Sequence, residues 1–434
     1  MKKFIATVCL ALATATAAHA FVGATDANEN RRKSEVTSFK ATEEMNANMV
    51  TLKMAQSAIA KQDDKSDNMI LSPYNVYTNM AMVGSGAIGK THDEFSAALF
   101  QNADIAKEAA PRLKELNETI LKANKGHVDL LTANGIWVNK KAATLSEGFT
   151  SDSKTNFGAE ISNEDFADAS VVGKINTWAS ENTKGLITKV IQQLNPDDAI
   201  VLASALYFKG KWVMPFDKQL TEEKTFTADG GAKFTTPMMH QEYDHVGDIR
   251  ALSNEAYEAV SLTYGTEDAA PMRLILLRPN DAKVSARDWL ATQGDMLMPV
   301  WLNDPQYADA RGMVELPHLD IKQHHDLVPV LQDMGIKEAF TGNADFRHMV
   351  DVKSRALFIS SVSHDIVFKT DEEGSEAAAV TTATMAGSAA PMDPPKTVNI
   401  KFDRSFVFAL QDVQTGTVLF IGAVNKPNEK MTAK

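Results

Sequence analysis

The sequence predicts an α+β fold, with blocks of helices and blocks of strands packed into one body. Three observations carry that expectation. Helical periodicities and strand runs fall in separate blocks rather than in regular alternation. Residues 200–208 and 273–277 are nearly continuous apolar runs, fit for buried strands. Two more strand runs, 406–410 and 418–424, lie near the end of the chain. Two strands alone are not a domain, so these must pair with strands upstream.

The elements follow in order. Met45, Met49, Leu52 and Ile59 recur at helical spacing and predict an amphipathic helix over 42–62. Residues 68–71 read as a short strand, and Ser72-Pro73 as an N-cap with proline at the first helical position. Tyr77, Met80, Ala81 and Gly84 continue one helical face, and Thr91 with Glu94 forms a capping box for the next helix. Residues 128–138 read as a strand. Ile175 and Trp178 lie on a helix that ends at Thr183-Lys184-Gly185, and a further helix candidate, 326–335, ends at Gly335. A turn at Thr415-Gly416 joins the last two strands.

The chain start reads as an export signal over residues 1–20. Lys2 and Lys3 precede an apolar stretch, Phe4–Ala13, and Ala18-His19-Ala20 has the small-x-small pattern cut by a signal peptidase. A polar tether, 21–40, follows, and a single domain is expected over 41–428 with a tail at 429–434. The location expected is periplasmic or extracellular. Cys9 is the one cysteine, so the processed chain would have none. That excludes thiol catalysis, thiolate metal sites and disulfides from it.

The formal charge is −12, near −14 without the first twenty residues. Such acidity repels nucleic acid and anionic lipid. Nothing after residue 20 is apolar enough to span a bilayer.

Two motifs are decoys. Residues 84–91, GSGAIGKT, match the phosphate-loop pattern and its first six match GxGxxG. Both patterns need a preceding strand, whereas these glycines follow a capped helix and read as its end and a turn. His318, His324 and His325, with Asp320 and Asp326, fit no standard metal spacing and read as surface residues. No metal or cofactor is expected. No GxSxG elbow occurs, although a triad assembled in space from scattered Ser, His and Asp remains open.

The stretch 371–397 stands apart, first acidic, then rich in Ala, Thr, Ser and Gly, then rich in Pro. Only 37 residues follow it, too few for a second domain. It therefore reads as a long loop thrown out from the folded body, and long loops in compact domains are usually functional.

Several segments form one set: Asn68-Met-Ile-Leu-Ser-Pro73, Ile175-Asn-Thr-Trp178 with Thr183-Lys-Gly185, and Ala205-Leu-Tyr-Phe-Lys-Gly-Lys-Trp212. Leu316-Pro317, Glu372-Glu-Gly-Ser-Glu-Ala-Ala-Ala379, Phe402-Asp-Arg-Ser-Phe406 and Leu419-Phe-Ile-Gly422 complete it. Through these segments the sequence resembles the serpins over roughly residues 40–428. Three positions depart from the family pattern. Ser405 stands for a proline, Ser204 for an asparagine of the sheet-opening shutter, and His318 for a lysine.

The resemblance implies helices packed on three β-sheets with an exposed reactive-centre loop, here about 372–395. It implies no enzyme but a monomeric suicide inhibitor, whose partner is a serine protease trapped as an acyl-enzyme when the cut loop inserts into the main sheet. Residues of the hinge would be Glu372, Gly374, Ser375, Glu376, Ala377, Ala378 and Ala379. Trp212 and His318 would lie at the breach, with Glu372 paired to His318, and Ser72, Ser204 and His364 at the shutter. Counting from the hinge places the reactive bond at Ser388–Ala389, whereas counting back from Phe406 points near Pro394. The hinge count is preferred, because prolines would block insertion at the later position. On an inserted strand Ser375, Ala377, Ala379 and Thr381, all small, would face the core side. The small residues 386–389 suit the shallow pocket of an elastase-like or subtilisin-like protease, with Met385 and Met392 as secondary sites. The alternatives are a non-inhibitory serpin, such as a chaperone or carrier, and an exported hydrolase.

Overall fold

The computed structural model describes residues 41–434 except 66, 267–268, 293–299, 303–305, 352–356, 375–395, 429–431 and 434, with the backbone alone at 41–48 and 432–433. Its helices are α1 (Ala41–Lys61), α2 (Pro73–Ser85), α3 (Gly89–Leu99), α4 (Ala110–Asn124), α5 (Glu147–Phe157), α6 (Ser170–Asn182), α7 (Ala286–Thr292) and α8 (Val328–Asp333). The strands of the first half are β1 (Met69–Leu71), β2 (Val128–Asn139), β3 (Thr144–Leu145), β4 (Glu160–Glu164), β5 (Ile200–Gly210), β6 (Glu222–Thr227), β7 (Lys233–Tyr243), β8 (Ile249–Ser253), β9 (Tyr257–Tyr264) and β10 (Met272–Pro279). The second half adds β11 (Ala308–Pro317), β12 (Leu319–Asp326), β13 (Val350–Asp351), β14 (Ile359–Thr370), β15 (Lys396–Lys401), β16 (Phe406–Asp412), β17 (Val418–Val424) and β18 (Thr432–Ala433).

Ser72 caps α2 as expected, its side chain accepting from the Asn75 backbone N–H, and Pro73 takes the first helical position. This helix is buried on almost every side, Asn75 and Asn79 included. A helix in such a place must be apolar all round or find partners for its polar groups. The expected capping box at Thr91 does not form. The α3 N-cap position is Ile88, and Thr91 accepts from the Asp345 N–H while Glu94 accepts from those of Lys337 and Glu338. Both side chains were recruited by a segment remote in sequence, which local spacing cannot reveal.

Eleven strands form one sheet, in the path β1-β17-β16-β10-β9-β8-β11-β7-β18, with β15 on β11 and β6 on β7. The C-terminal strand runs β16 and β17 are wholly buried here and pair with β10 and β1 upstream, as their isolation demanded. Thr432–Ala433, in the stretch expected to be a tail, pairs with β7. A second sheet has the order β12-β14-β5-β2-β4, and β3 with β13 forms a small third. Helix α6 covers one face of the five-stranded sheet, where Trp178 meets Trp137 edge-on and Ile175 and Ala179 join a cluster with Ala133, Ala203 and Ala205. Helix α2 packs on the other face, against β2 and β5.

Within this sheet β5 lies between antiparallel β2 and parallel β14. The β5–β14 pairing runs from Ile200/Ile359 to Leu206/Ile366. Both strands then continue, to Gly210 and Thr370, outside that ladder.

One glycine fixes how β15 docks. Gly312 of β11 has φ +137°, and a Cβ there would lie 1.9 Å from the Val398 carbonyl oxygen of β15. Gly312→Ala should therefore cost at least about 1–2 kcal/mol from backbone conformation alone, with the overlap adding to it. Chemical denaturation should show a lowered midpoint, and an unchanged midpoint would contradict this reading of the β11–β15 contact.

Candidate functional site

Of the residues singled out from the sequence, Ser72, Ser204 and His364 meet at the seam between β5 and β14. Ser204 and His364 are opposite partners in its register. His364 Nδ1 lies 2.7 Å from Ser204 Oγ, and the Ser72 backbone N–H donates to His364 Nε2 at 3.0 Å. The end of one strand-to-helix turn, the middle of β5 and the middle of β14 are thus tied through one imidazole.

This geometry settles the chemistry of the pair. A backbone N–H can only donate, so Nε2 is the acceptor and Nδ1 carries the hydrogen. Nδ1–H then donates to Ser204 Oγ, and the ring cannot take the serine proton. Ser204 and His364 are buried, at 2% and 0% exposure. A general base must hold a free lone pair toward its nucleophile, within reach of substrate. The pair has neither feature and is a structural strut. Burial pushes His364 well below the usual histidine range, with the charges of His325 and His324 acting in the same direction.

The neighbouring histidines are only partly the surface residues expected. His324 is exposed and bonds Asp365 at 2.9 Å, which raises its pKa against a smaller effect of burial. His325 is half-buried, donates from Nε2 to the Ile70 carbonyl at 2.7 Å, and is lowered mainly by burial. The strand pleat sends the two to opposite faces, and one of those faces is the interior. No group of three potential metal ligands occurs among the described residues.

The upper end of the seam is closed by the first residues of the expected loop. Trp212, just past β5, stacks on Tyr264 with centroids 4.0 Å apart. Its indole N–H donates to the Asp371 carbonyl at 2.9 Å, and its backbone N–H to that of Glu373 at 2.9 Å. The Phe216 N–H donates to the Glu372 carbonyl at 2.8 Å. Glu372 Oε1 accepts from Thr221 Oγ1 at 2.6 Å and lies 2.8 Å from His318 Nε2. Burial raises the Glu372 pKa, but the Thr221 and His318 hydrogen bonds outweigh it and hold the carboxyl below its usual range. Lys218 pairs with Glu373.

Glu372 and Gly374 are therefore packed residues rather than the start of an exposed segment. The loop's first residues turn back on 211–216 because their carbonyls are the acceptors for N–H groups beyond β5. Gly374 takes φ +131°, where an added Cβ would lie 2.2 Å from the Gly210 carbonyl oxygen. Ser375, Glu376, Ala377, Ala378, Ala379, Thr381, Met385, Ser388, Ala389, Met392 and Pro394 lie outside the described residues.

Sequence reasoning missed Thr221, Lys218, Tyr264, Asn75, Asn79 and Asn134. A signal existed for two of them, since Asn75 and Asn79 sit one turn apart on a helix that is otherwise largely apolar. The others are joined to the site only by tertiary structure.

Residues 45–427 match the profile of the family described as serpin (serine protease inhibitor). The chain is 30% identical to serine proteinase inhibitor A3K of Cavia porcellus over 375 residues, 86% of this chain and 87% of the relative. Among solved structures, the thermophilic serpin tengpin in its native state superposes with a TM-score of 0.77 at 24% identity, covering 89% of this chain and 95% of tengpin. Thyroxine-binding globulin complexed with thyroxine superposes at 0.74 and 24%, covering 89% and 99%.

The buried imidazole makes a pH dependence. A histidine whose folded pKa is depressed stabilises the fold fully above its unfolded value, about 6.5, and loses that contribution as pH falls toward the folded value. His325 acts in the same sense and His324 in the opposite one. The melting temperature should fall from pH 7 to pH 5, and His364→Gln should flatten that slope. A variant with the wild-type slope would show that His364 does not carry it.

Proposed function

The chain belongs to the serpin (serine protease inhibitor) family, and from that premise we propose that it is an irreversible suicide inhibitor of serine proteases. The protease attacks the loop and forms an acyl-enzyme. The freed loop then enters the five-stranded sheet as a new strand between β5 and β14, and the protease is carried with it before water completes hydrolysis. The stored conformational energy comes from the inhibitor, which contributes no catalytic group.

The observation that supports this most is the seam itself. The β5–β14 ladder ends at Leu206 and Ile366, short of both strand ends, and the loop departs from the top of β14 through a glycine bridged to Lys211. A strand entering there begins beside the residues that lead into it. The hinge sequence also meets the demands of burial. Ser375, Ala377 and Ala379 are small, and no proline occurs from Gly374 to Ala390. A carrier role, as the name thyroxine-binding globulin states for that neighbour, is the second reading within the fold, but a small-residue hinge gives it no support.

The proposed target has a shallow, apolar primary pocket, because Ala386-Gly387-Ser388-Ala389 offers neither bulk nor charge. The proposed bond is Ser388–Ala389. Incubation with elastase-like and subtilisin-like proteases should give an SDS-resistant complex and a released fragment starting at Ala389. Ala377→Arg would have to bury an unpaired charge on insertion. It should be cut at the same bond yet release active protease, with complex yield falling at least about tenfold, equivalent to 1.4 kcal/mol. Cleaved product without a complex or a rise in melting temperature for the wild type would favour the carrier reading.

We also propose that the protein acts outside the cytoplasm, on the strength of the Ala18-His19-Ala20 site, and that it is a monomer, as the family resemblance implies. No helix among the described residues is long and apolar enough to cross a membrane. N-terminal sequencing of exported protein should begin at Phe21, and a start at Met1 would refute the cleavage.

A further inference from the structure

Three residues with buried side-chain oxygens lie beside Ser204. Asn75 Nδ2 donates to the Ala205 carbonyl at 2.7 Å, and Asn79 Nδ2 to the Ala203 carbonyl at 3.3 Å. These carbonyls flank Ser204, so the two carboxamides of α2 straddle it. Carbonyls only accept, which fixes the orientation of both amides and leaves each Oδ1 as a separate acceptor. Asn134 of β2 is the register partner of Ser204, and cross-strand partners share a face. Asn75, Asn79 and Asn134 are 0%, 1% and 4% exposed.

None of the three Oδ1 atoms has a donor among the described residues. Buried polar atoms are nearly always paired, with protein or with ordered water. Ser204 Oγ accepts from His364 Nδ1, so its own hydroxyl hydrogen can be given to another acceptor. Three acceptors and one available donor therefore sit on neighbouring residues of α2, β2 and β5. Buried water typically makes about three hydrogen bonds to groups of this kind.

We propose that an ordered water molecule is bound here, accepting from Ser204 and giving its two hydrogens to two of the carboxamide oxygens of Asn75, Asn79 and Asn134. The strut between β5 and β14 is then partly solvent. Its opening exchanges bonds to a mobile molecule instead of breaking only fixed side-chain pairs. The inference rests on the oxygens and not on protease inhibition, so either can fail without the other.

A crystal structure of the full chain, at a resolution where ordered water is visible, tests it. A peak at about 2.7–3.2 Å from at least two of the three oxygens is the expected result. An empty space, or amide oxygens paired with protein donors, would overturn the proposal. So would a peak with several oxygens at about 2.3–2.6 Å, the spacing of a bound calcium ion. Ser204→Asn supplies a longer side chain with its own donor and should displace the peak. An unchanged peak in that variant would also count against the site. If the variant does not fold, the wild-type density decides alone.

Discussion

The structure depends on one constraint, the incomplete pairing of β14 with β5. Both strands lie in the centre of the sheet and are almost wholly buried. A parallel ladder between such strands is ordinarily continuous, since every missed backbone pair in the interior must be satisfied elsewhere. Here the ladder ends at Leu206 and Ile366, and the chain that follows β14 is held by other bonds. Trp212 and Phe216 bring N–H groups to the carbonyls of Asp371, Glu372 and Glu373, and the Thr370 hydroxyl bonds the Gly374 carbonyl at 3.1 Å. The top of the sheet is closed by a turn in place of a strand.

The middle of the seam is held differently. His364 accepts from Ser72 and donates to Ser204, so a helix N-cap and two strands share one neutral ring. Neutrality is a condition of this strut, because a second ring proton would confront the Ser72 N–H with another donor. Burial favours the neutral form, and the fold thereby exchanges stability in acid for a bond that can link three elements. The serine on β5 is shorter than an asparagine would be. The carboxamides of Asn75 and Asn79 compensate from the helix side, reaching the carbonyls adjacent to it.

Much of this was legible in the residues. The apolar runs became β5, β10, β16 and β17, and the last two pair with strands upstream, as their number required. The glycines of residues 84–91 end one helix and start another, as their capped, helical context required. The pair at Ser204 and His364, and that at Glu372 and His318, followed from resemblance and not from spacing. They are separated by 160 and 54 positions, and no local periodicity reports such contacts. Thr221 shows the same limit from the other side. It is an unremarkable threonine in sequence, yet it shares the Glu372 oxygen with His318, so the carboxylate keeps a partner whatever the histidine's charge. The buried face taken by His325 was hidden too, because an edge strand of charged and polar residues reads as exposed on both sides.

Gly374 shows how the turn and the proposed insertion are connected. In the closed structure its φ of +131° and its approach to the Gly210 carbonyl leave no room for a Cβ. An extended strand, by contrast, places no such demand, and any L-residue adopts that conformation. A side chain at this position would therefore penalise the closed turn while leaving the extended form untouched. Glycine does more than allow movement here, because it makes the unextended state attainable at all. Together with the buried Glu372 and its two partners, it holds the turn that caps the sheet, and the proposed insertion would have to release these contacts.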